Sequence, residues 1–167
     1  MLRPAGELFR LAREVRADQY GIRTTLLVDD LPIKFEIVLE GRIVLEAASS
    51  KDQVDGVSTP TLLDMATTKL QANADRWRDD SVFSRDVIDL AMMTPSLPLL
   101  RKAMLKARDV YGEAIARDLE HAIAHLRDRP DWLERCRQVM AISLPRAALW
   151  SKVRALRRVL GAPEQGR

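Results

Sequence analysis

The 167-residue chain lacks several features that would place it in whole classes of protein. It has a single cysteine, Cys136, so no internal disulfide can form, and a reducing compartment, the cytoplasm, is expected. No apolar run approaches the roughly 18 residues that a membrane-spanning helix needs. The first residues, Met1–Gly6, lack the apolar segment of a secretory signal. These absences predict a soluble protein with no membrane partner.

The usual signatures of nucleotide loops, metal sites and thiol catalysis are also missing. The seven glycines are scattered, and none of them belongs to a Gly-x-x-x-x-Gly-Lys-Ser/Thr phosphate loop. His121 and His125 have the spacing of two metal ligands on a helix, but no third histidine or nearby cysteine accompanies them, so surface histidines are expected. Cys136 lies among apolar residues, which favours a buried thiol over a nucleophile.

Charge is distributed unevenly along the chain. The net charge is +3, but residues 146–167 hold six basic residues and one acidic residue, so this segment carries +5 and the remainder −2. A basic helix of this kind can contact nucleic-acid phosphates or an acidic partner. It can equally be a solvated helical face, which is the commoner role of a charge run.

The N-terminal third predicts a helix followed by a small antiparallel sheet. Apolar residues in 5–20 recur with helical spacing, which predicts an amphipathic helix. Alternation of apolar and polar residues predicts strands at 22–28 and 33–39, joined by a turn at Asp29–Pro32. A short third strand is expected at 42–45.

The rest of the chain reads as helical. Ser58-Thr59-Pro60 supplies a hydroxyl cap and a proline for a helix start. Helices are expected at 60–75, 84–93, 98–111, 113–128, 130–141 and 145–160. The fold class is therefore α+β, a small antiparallel sheet followed by a helical bundle. We expect a single domain, 1–167, with a helix and three strands in 1–50 and a helical region in 58–161.

Charged and polar residues mark one face of the first of these helices. Lys69, Asn73 and Arg76 are spaced i, i+4, i+7, so they project from one stripe of the helix. Two cations and an amide on one face form a candidate phosphate-binding surface.

The next helix carries two carboxylates on one face, Asp86 and Asp89, and an i, i+4 pair of Arg85 with Asp89. Spacing alone leaves two interpretations open. The residues either bind phosphate, or they form a salt-bridge network in which Asp86 and Asp89 tie the helix to Lys69 and Arg76.

Two motifs carry a resemblance to a known family. The run Thr-Pro-x-Leu-Leu-Asp-Met-Ala-x-x-Lys-Leu-x-Ala at 59–72, then Arg76, then Ser-Arg-Asp-x-x-Asp-Leu at 84–90, resembles the AbiEii/AbiGii toxin nucleotidyltransferases. These are bacterial proteins of the DNA polymerase β-like superfamily that belong to toxin–antitoxin systems. The resemblance implies transfer of a nucleoside monophosphate from a nucleoside triphosphate to an acceptor, tRNA in characterised relatives. It also implies a cognate antitoxin.

The resemblance also implies roles for particular residues. Lys69 and Asp86 correspond to catalytic positions, and a strand carboxylate at Glu36 corresponds to a Mg²⁺ ligand. The positions implied to bind the nucleotide are Lys69, Arg76, Arg85 and Asp89. Asn73 is added to this predicted site because its spacing places it on the same helix face as Lys69 and Arg76.

The chain departs from the family at its most diagnostic point. Family members carry a Gly-Gly or Gly-Ser turn and a strand with Asp-x-Asp or Asp-x-Glu, and this sequence has no such motif. The helix expected at 5–20 looks like the helix that follows that strand, so the chain is expected to begin just after the motif, as a truncated or incomplete enzyme. Glu36 alone would bind Mg²⁺ weakly or not at all, which predicts little or no activity. The alternative is a non-enzymatic interaction or RNA-binding module that uses the basic C-terminal helix.

Overall fold

The computed structural model describes residues 10–161 and divides the chain into two compact units, Met1–Arg42 and Ile43–Arg167. The first unit contains a three-stranded antiparallel sheet and the second contains a set of packed helices. The predicted α+β class is therefore confirmed. The prediction of a single domain, with parts at 1–50 and 58–161, stays a prediction.

The sheet consists of β1 (Arg10–Asp18), β2 (Gly21–Val28) and β3 (Leu31–Val38), in the order β1-β2-β3. Asp29 and Asp30 join β2 to β3, and both have positive φ angles, of 48° and 62°. A two-residue turn of this hand matches the twist of the strands, and Asp tolerates the left-handed conformation better than most residues. The predicted hairpin is confirmed.

Gly21 sits where the sheet leaves no room for a side chain. Its φ is +144°, and a Cβ at this position would lie 2.0 Å from the carbonyl oxygen of Ile37 in β3. Only glycine fits so close to the neighbouring backbone.

The predicted helix at 5–20 is wrong for its described part, because residues 10–18 form β1 and pair with β2. Residues 5–9 lie outside the described residues. The register of β1 shifts between Leu11 and Arg13 and again between Arg13 and Arg16. Such bulges break the strict alternation of a strand, so the apolar residues acquire spacings of three and four that resemble a helix.

The predicted third strand at 42–45 is also wrong, since these residues form no strand. Backbone N–H groups in this segment donate to carboxylates, Arg42 to Glu40 at 2.8 Å and Glu46 to Asp64 at 2.7 Å. Side-chain acceptors therefore replace the ladder that a strand would need. A short hairpin follows, formed by β4 (Gln53–Val54) and β5 (Val57–Ser58).

The helices of the second unit follow the sequence pattern closely. Their bounds are α1 Leu62–Arg76, α2 Arg85–Met92, α3 Leu97–Tyr111, α4 Ala114–Asp128, α5 Pro130–Val139 and α6 Arg146–Ala155, and 3₁₀ turns cover Asp80–Val82 and Leu156–Val159. The first helix begins two residues later than predicted, because the hydroxyl of Thr61, not Ser58 or Thr59, accepts from the N–H of Asp64.

The core of the second unit is built from aliphatic side chains of all six helices. Leu70, Ile88, Leu100, Leu119 and Leu149 are fully buried, and further buried apolar residues surround them. Helices α1, α2 and α4 all contribute to this core. Because their apolar faces are packed together, the directions of their outward-facing polar side chains are fixed.

Candidate functional site

Two cations of α1 meet two carboxylates of α2. The Lys69 Nζ lies 2.5 Å from Asp89 and 3.6 Å from Asp86, and Arg76 donates to both oxygens of Asp86 at 2.7 and 3.0 Å. We call Lys69, Arg76, Asp86 and Asp89 the α1/α2 charge cluster. The salt-bridge network that the spacing allowed is present in the structure.

A tryptophan of α5 holds the turn that comes just before α2. Phe83 and Ser84 both have left-handed backbone conformations, with φ of 54° and 49°. Such residues cost free energy unless their surroundings hold them. Trp132 does so, because its ring stacks on Phe83 at 5.7 Å and its Nε1–H donates to the Ser84 hydroxyl at 3.1 Å.

Burial makes Asp86 the anchor of the cluster. Its side chain is only 3% exposed, and a carboxylate removed from water needs charged partners with good geometry. Arg76 supplies a two-pronged contact, and the hydrogen bond to Asp86 raises the pKa of Arg76 above its ordinary value. The two hydrogen bonds therefore hold the guanidinium of Arg76 against the carboxylate of Asp86.

The cations of the cluster keep one side toward solvent. Lys69 is 33% exposed and Arg76 is 46% exposed. An ammonium has three N–H donors and a guanidinium has five, so each cation retains donors beyond those used on Asp86 and Asp89. The arrangement can hold two cations at fixed positions and still offer N–H groups to an anion.

Two other residues of the predicted nucleotide site behave differently. Asn73 is 2% exposed, and its side-chain amide donates to the backbone oxygen of Asp118 in α4 at 3.3 Å, so it is not part of an open surface. Arg85 is exposed and forms no ion pair within residues 10–161. Among the described residues, Asp89 binds Lys69 and not Arg85, so the predicted pair of Arg85 with Asp89 is not formed.

Glu36, the predicted Mg²⁺ ligand, lies in β3 of the first unit. Its carboxylate is 3.0 Å from Lys34 Nζ and 3.7 Å from Arg23 Nε, and it is partly exposed. Two cations beside a lone carboxylate oppose a divalent metal, which prefers several oxygen ligands. Nor do residues 10–161 contain any group of three or more His, Cys, Asp or Glu side chains that could hold a metal. The described residues therefore do not fit a Mg²⁺ site, and the predicted closeness of Glu36 to Lys69 or Arg76 stays a prediction.

The sequence analysis did not predict a second ion pair, which joins a buried carboxylate of α1 to a lysine of α3. Asp64 is fully buried, 2.5 Å from Lys106 Nζ of α3, and it also accepts from the N–H of Glu46. Burial alone would raise the pKa of Asp64, but the hydrogen bonds from Lys106 and Glu46 outweigh it and hold that pKa below its ordinary value. The only local signal was an acidic residue in the first turn of a helix; its partner lies 42 residues away.

Cys136 and the two histidines occupy the places expected of structural residues. Cys136 is fully buried, and burial raises the pKa of its thiol to about 11. His121 packs against the ring of Trp77 at 5.2 Å, and His125 lies 3.2 Å from Asp80.

Comparison with known proteins identifies the family to which the chain belongs. The family model described as "Nucleotidyl transferase AbiEii toxin, Type IV TA system" matches residues 4–158. The chain therefore belongs to the AbiEii family of nucleotidyltransferase toxins of type IV toxin–antitoxin systems. Neither the search of curated proteins nor the search of solved structures returned a match. Within the described residues, no helix has the length and apolarity required to cross a membrane.

Proposed function

We propose that this chain contacts the phosphates of a nucleoside triphosphate through Lys69 and Arg76. The observation that carries the proposal is that both cations are fixed by carboxylates while a third to a half of each side chain stays exposed. The family match supplies the reaction class, nucleotidyl transfer. The acceptor that we propose is tRNA, and the proposed setting is a bacterial cytoplasm with a cognate antitoxin.

The α1/α2 charge cluster is balanced in charge, because Lys69 and Arg76 face Asp86 and Asp89. What it offers to a phosphate is the set of N–H donors that the two cations do not use on these carboxylates. Held cations need no reorganisation when a phosphate arrives, so their remaining N–H groups bind it with little loss of entropy. Asp86 and Asp89 position the cations and do not meet the phosphates.

Calorimetry tests this contact directly. At low salt, each of the four nucleoside triphosphates is titrated into the wild type, Lys69→Ala and Lys102→Ala, a matched control because Lys102 is exposed on α3. We expect weak binding by the wild type and the control, and about tenfold weaker binding by Lys69→Ala, the loss of one charge-assisted contact. Equal heats for all three proteins, or no heat for any of them, would contradict the proposal.

We further propose that the chain by itself transfers little or no nucleotide. The carboxylates named by the family resemblance are each paired with a cation: Glu36 with Lys34, Asp86 with Arg76 and Asp89 with Lys69. A two-metal reaction requires carboxylates that are available to metal ions.

A transfer assay tests this second proposal. Radiolabelled nucleotides, total tRNA and either magnesium or manganese are incubated with the chain and with Lys69→Ala. We expect no labelling by the wild type above that of the variant. Strong labelling that is lost in Lys69→Ala or Glu36→Gln would show that the carboxylates do hold metals during the reaction.

A further inference from the structure

A pair of adjoining cavities lies between α4 and α6, far along the chain from the charge cluster. The first has a volume of about 370 Å³ and is lined by Arg127, Trp150, Arg154 and Arg157, among others. The second, about 270 Å³, shares Arg127 and Trp150 and adds Arg146. We call the two together the Trp150 groove. Trp150 therefore borders both cavities.

The groove is strongly basic. Four arginines line it, against a single acidic residue, Glu120, which lies 3.3 Å from Arg157. Arg146 and Arg154 are exposed and form no ion pair within residues 10–161. Arg127 forms an ion pair with its exposed neighbour Asp128. Two of the four guanidinium groups, those of Arg146 and Arg154, therefore remain available beside the groove, and such groups attract phosphates.

Packing fixes the tryptophan in this basic setting. Trp150 is half-buried and packs against the core beside Leu149, which is fully buried. A ring held in this way loses little entropy when a planar group stacks on it. An aromatic ring among arginines is the combination that single-stranded nucleic acids use, with bases on the ring and phosphates on the cations.

We propose that the Trp150 groove binds a single-stranded nucleic acid, with an unpaired base against Trp150 and the backbone phosphates on Arg146 and Arg154. A duplex keeps its bases stacked inside the helix and offers only phosphates. An acidic peptide would form ion pairs with the arginines but would provide no planar group to stack on Trp150. The basic C-terminal segment thus forms one wall of a groove whose other wall is α4.

This inference does not rest on nucleotidyl transfer or on the Lys69 contact. It is tested without any nucleoside triphosphate, so its failure leaves the nucleotide proposal untouched.

Fluorescence anisotropy of a labelled 12-nucleotide strand provides the test. Single-stranded RNA, single-stranded DNA, a duplex of the same sequence and a polyglutamate peptide are compared as ligands of the full chain. We expect one or both single strands to bind at least fivefold more tightly than the duplex and the peptide. Binding should weaken with salt, as expected for phosphate contacts.

Three variants locate the binding. Arg154→Ala changes an exposed residue of the groove and should weaken binding about fivefold. It should also reduce the slope of log affinity against log salt concentration by about one, since one fewer counterion is released. Arg101→Ala, an exposed arginine on α3, is the matched control and should bind as the wild type does. Trp150→Phe keeps an apolar ring in the core and should abolish quenching of tryptophan fluorescence by the bound strand.

Three results would overturn the proposal: no binding at low salt, equal losses in Arg154→Ala and Arg101→Ala, or polyglutamate binding as tightly as the single strands. Tighter binding of the duplex would instead indicate a purely electrostatic surface and would remove the role of Trp150.

Discussion

The sheet unit exposes its apolar residues to solvent, whereas the helical unit buries many of its own in a core. Every residue of β1 and β3 is exposed, including Phe35 at 43% and Ile37 at 53%. All the buried apolar residues within 10–161 lie in the helical unit, between Ala66 and Leu156. A packed core fixes the side chains that border it, whereas side chains on an exposed sheet remain free to move.

The same contrast governs the charged residues. Asp64 and Asp86 are removed from water and held by cations at 2.5 and 2.7 Å. Glu36 makes looser contacts on the sheet, with Lys34, which is 75% exposed. Buried pairs are costly to break and exposed pairs contribute little, so the helical unit is the part of the molecule able to present charge in a fixed geometry.

The largest effect should come from Lys106. Lys106→Met leaves the fully buried carboxylate of Asp64 without its cation, which should lower the free energy of unfolding by about 3–5 kcal/mol. Lys34→Met, the matched change in the sheet, should alter it by less than about 0.5 kcal/mol. Urea denaturation followed by helical circular dichroism measures the first change, and hydrogen exchange of the backbone amides of the sheet measures the second. Similar losses of stability for the two variants would contradict the difference between buried and exposed ion pairs.

The Lys106 effect should also depend on pH. The pKa of Asp64 is below its ordinary value of 3.8 in the folded protein, so its ionised form contributes stability above that pH. This contribution is lost as the pH falls through the lowered pKa. The difference between the wild type and Lys106→Met should therefore be constant near neutral pH and become smaller on acidification, as the Asp64 carboxyl is protonated first in the folded variant and then in the folded wild type. A difference that grows on acidification would contradict this assignment.

The next largest effect concerns Cys136 in the helical core. Because burial raises the pKa of its thiol from 9.0 to about 11, the thiolate fraction at pH 8 falls by about 100-fold. A disulfide reagent should react with the native protein at least 100-fold more slowly than with the protein in denaturant. Equal rates would show that the helical core does not exclude water.

A smaller effect is expected at Arg76. Arg76→Met removes both hydrogen bonds to Asp86 and leaves Lys69 3.6 Å away as its nearest cation, which should cost about 2 kcal/mol. Arg23→Met in the sheet, whose pairs are partly exposed, should cost under about 1 kcal/mol. Helical circular dichroism in urea measures the first change, and hydrogen exchange of the sheet amides measures the second. A larger loss for Arg23 would reverse the ranking of the two units.

Much of this architecture was predictable because it depends on local sequence. Strict alternation and the Asp29-Asp30 turn predict the hairpin of β2 and β3, and helical spacing predicts the helices of the second unit. The strand β1 was not predicted, because its register shifts interrupt the alternation of apolar and polar residues that identifies a strand.

The candidate site was predictable only in part. Spacing brings Lys69 and Arg76 onto one face and permits the network with Asp86, which the structure contains. Spacing does not say what covers a face, so the burial of Asn73 under α4 was not foreseen. Partners distant in sequence, such as Lys106 for Asp64, leave no local pattern at all.

In the proposed function, cations and not metal-bound carboxylates contact the nucleotide. Triphosphate binding to the full chain, measured in magnesium and again in EDTA, separates these two modes of contact. We expect the affinity in EDTA to be equal or higher, because the free triphosphate carries more negative charge to Lys69 and Arg76. Binding that occurs only with magnesium, and that is lost in a folded Glu36→Gln or Asp89→Asn variant, would show that carboxylates bind the nucleotide through a metal.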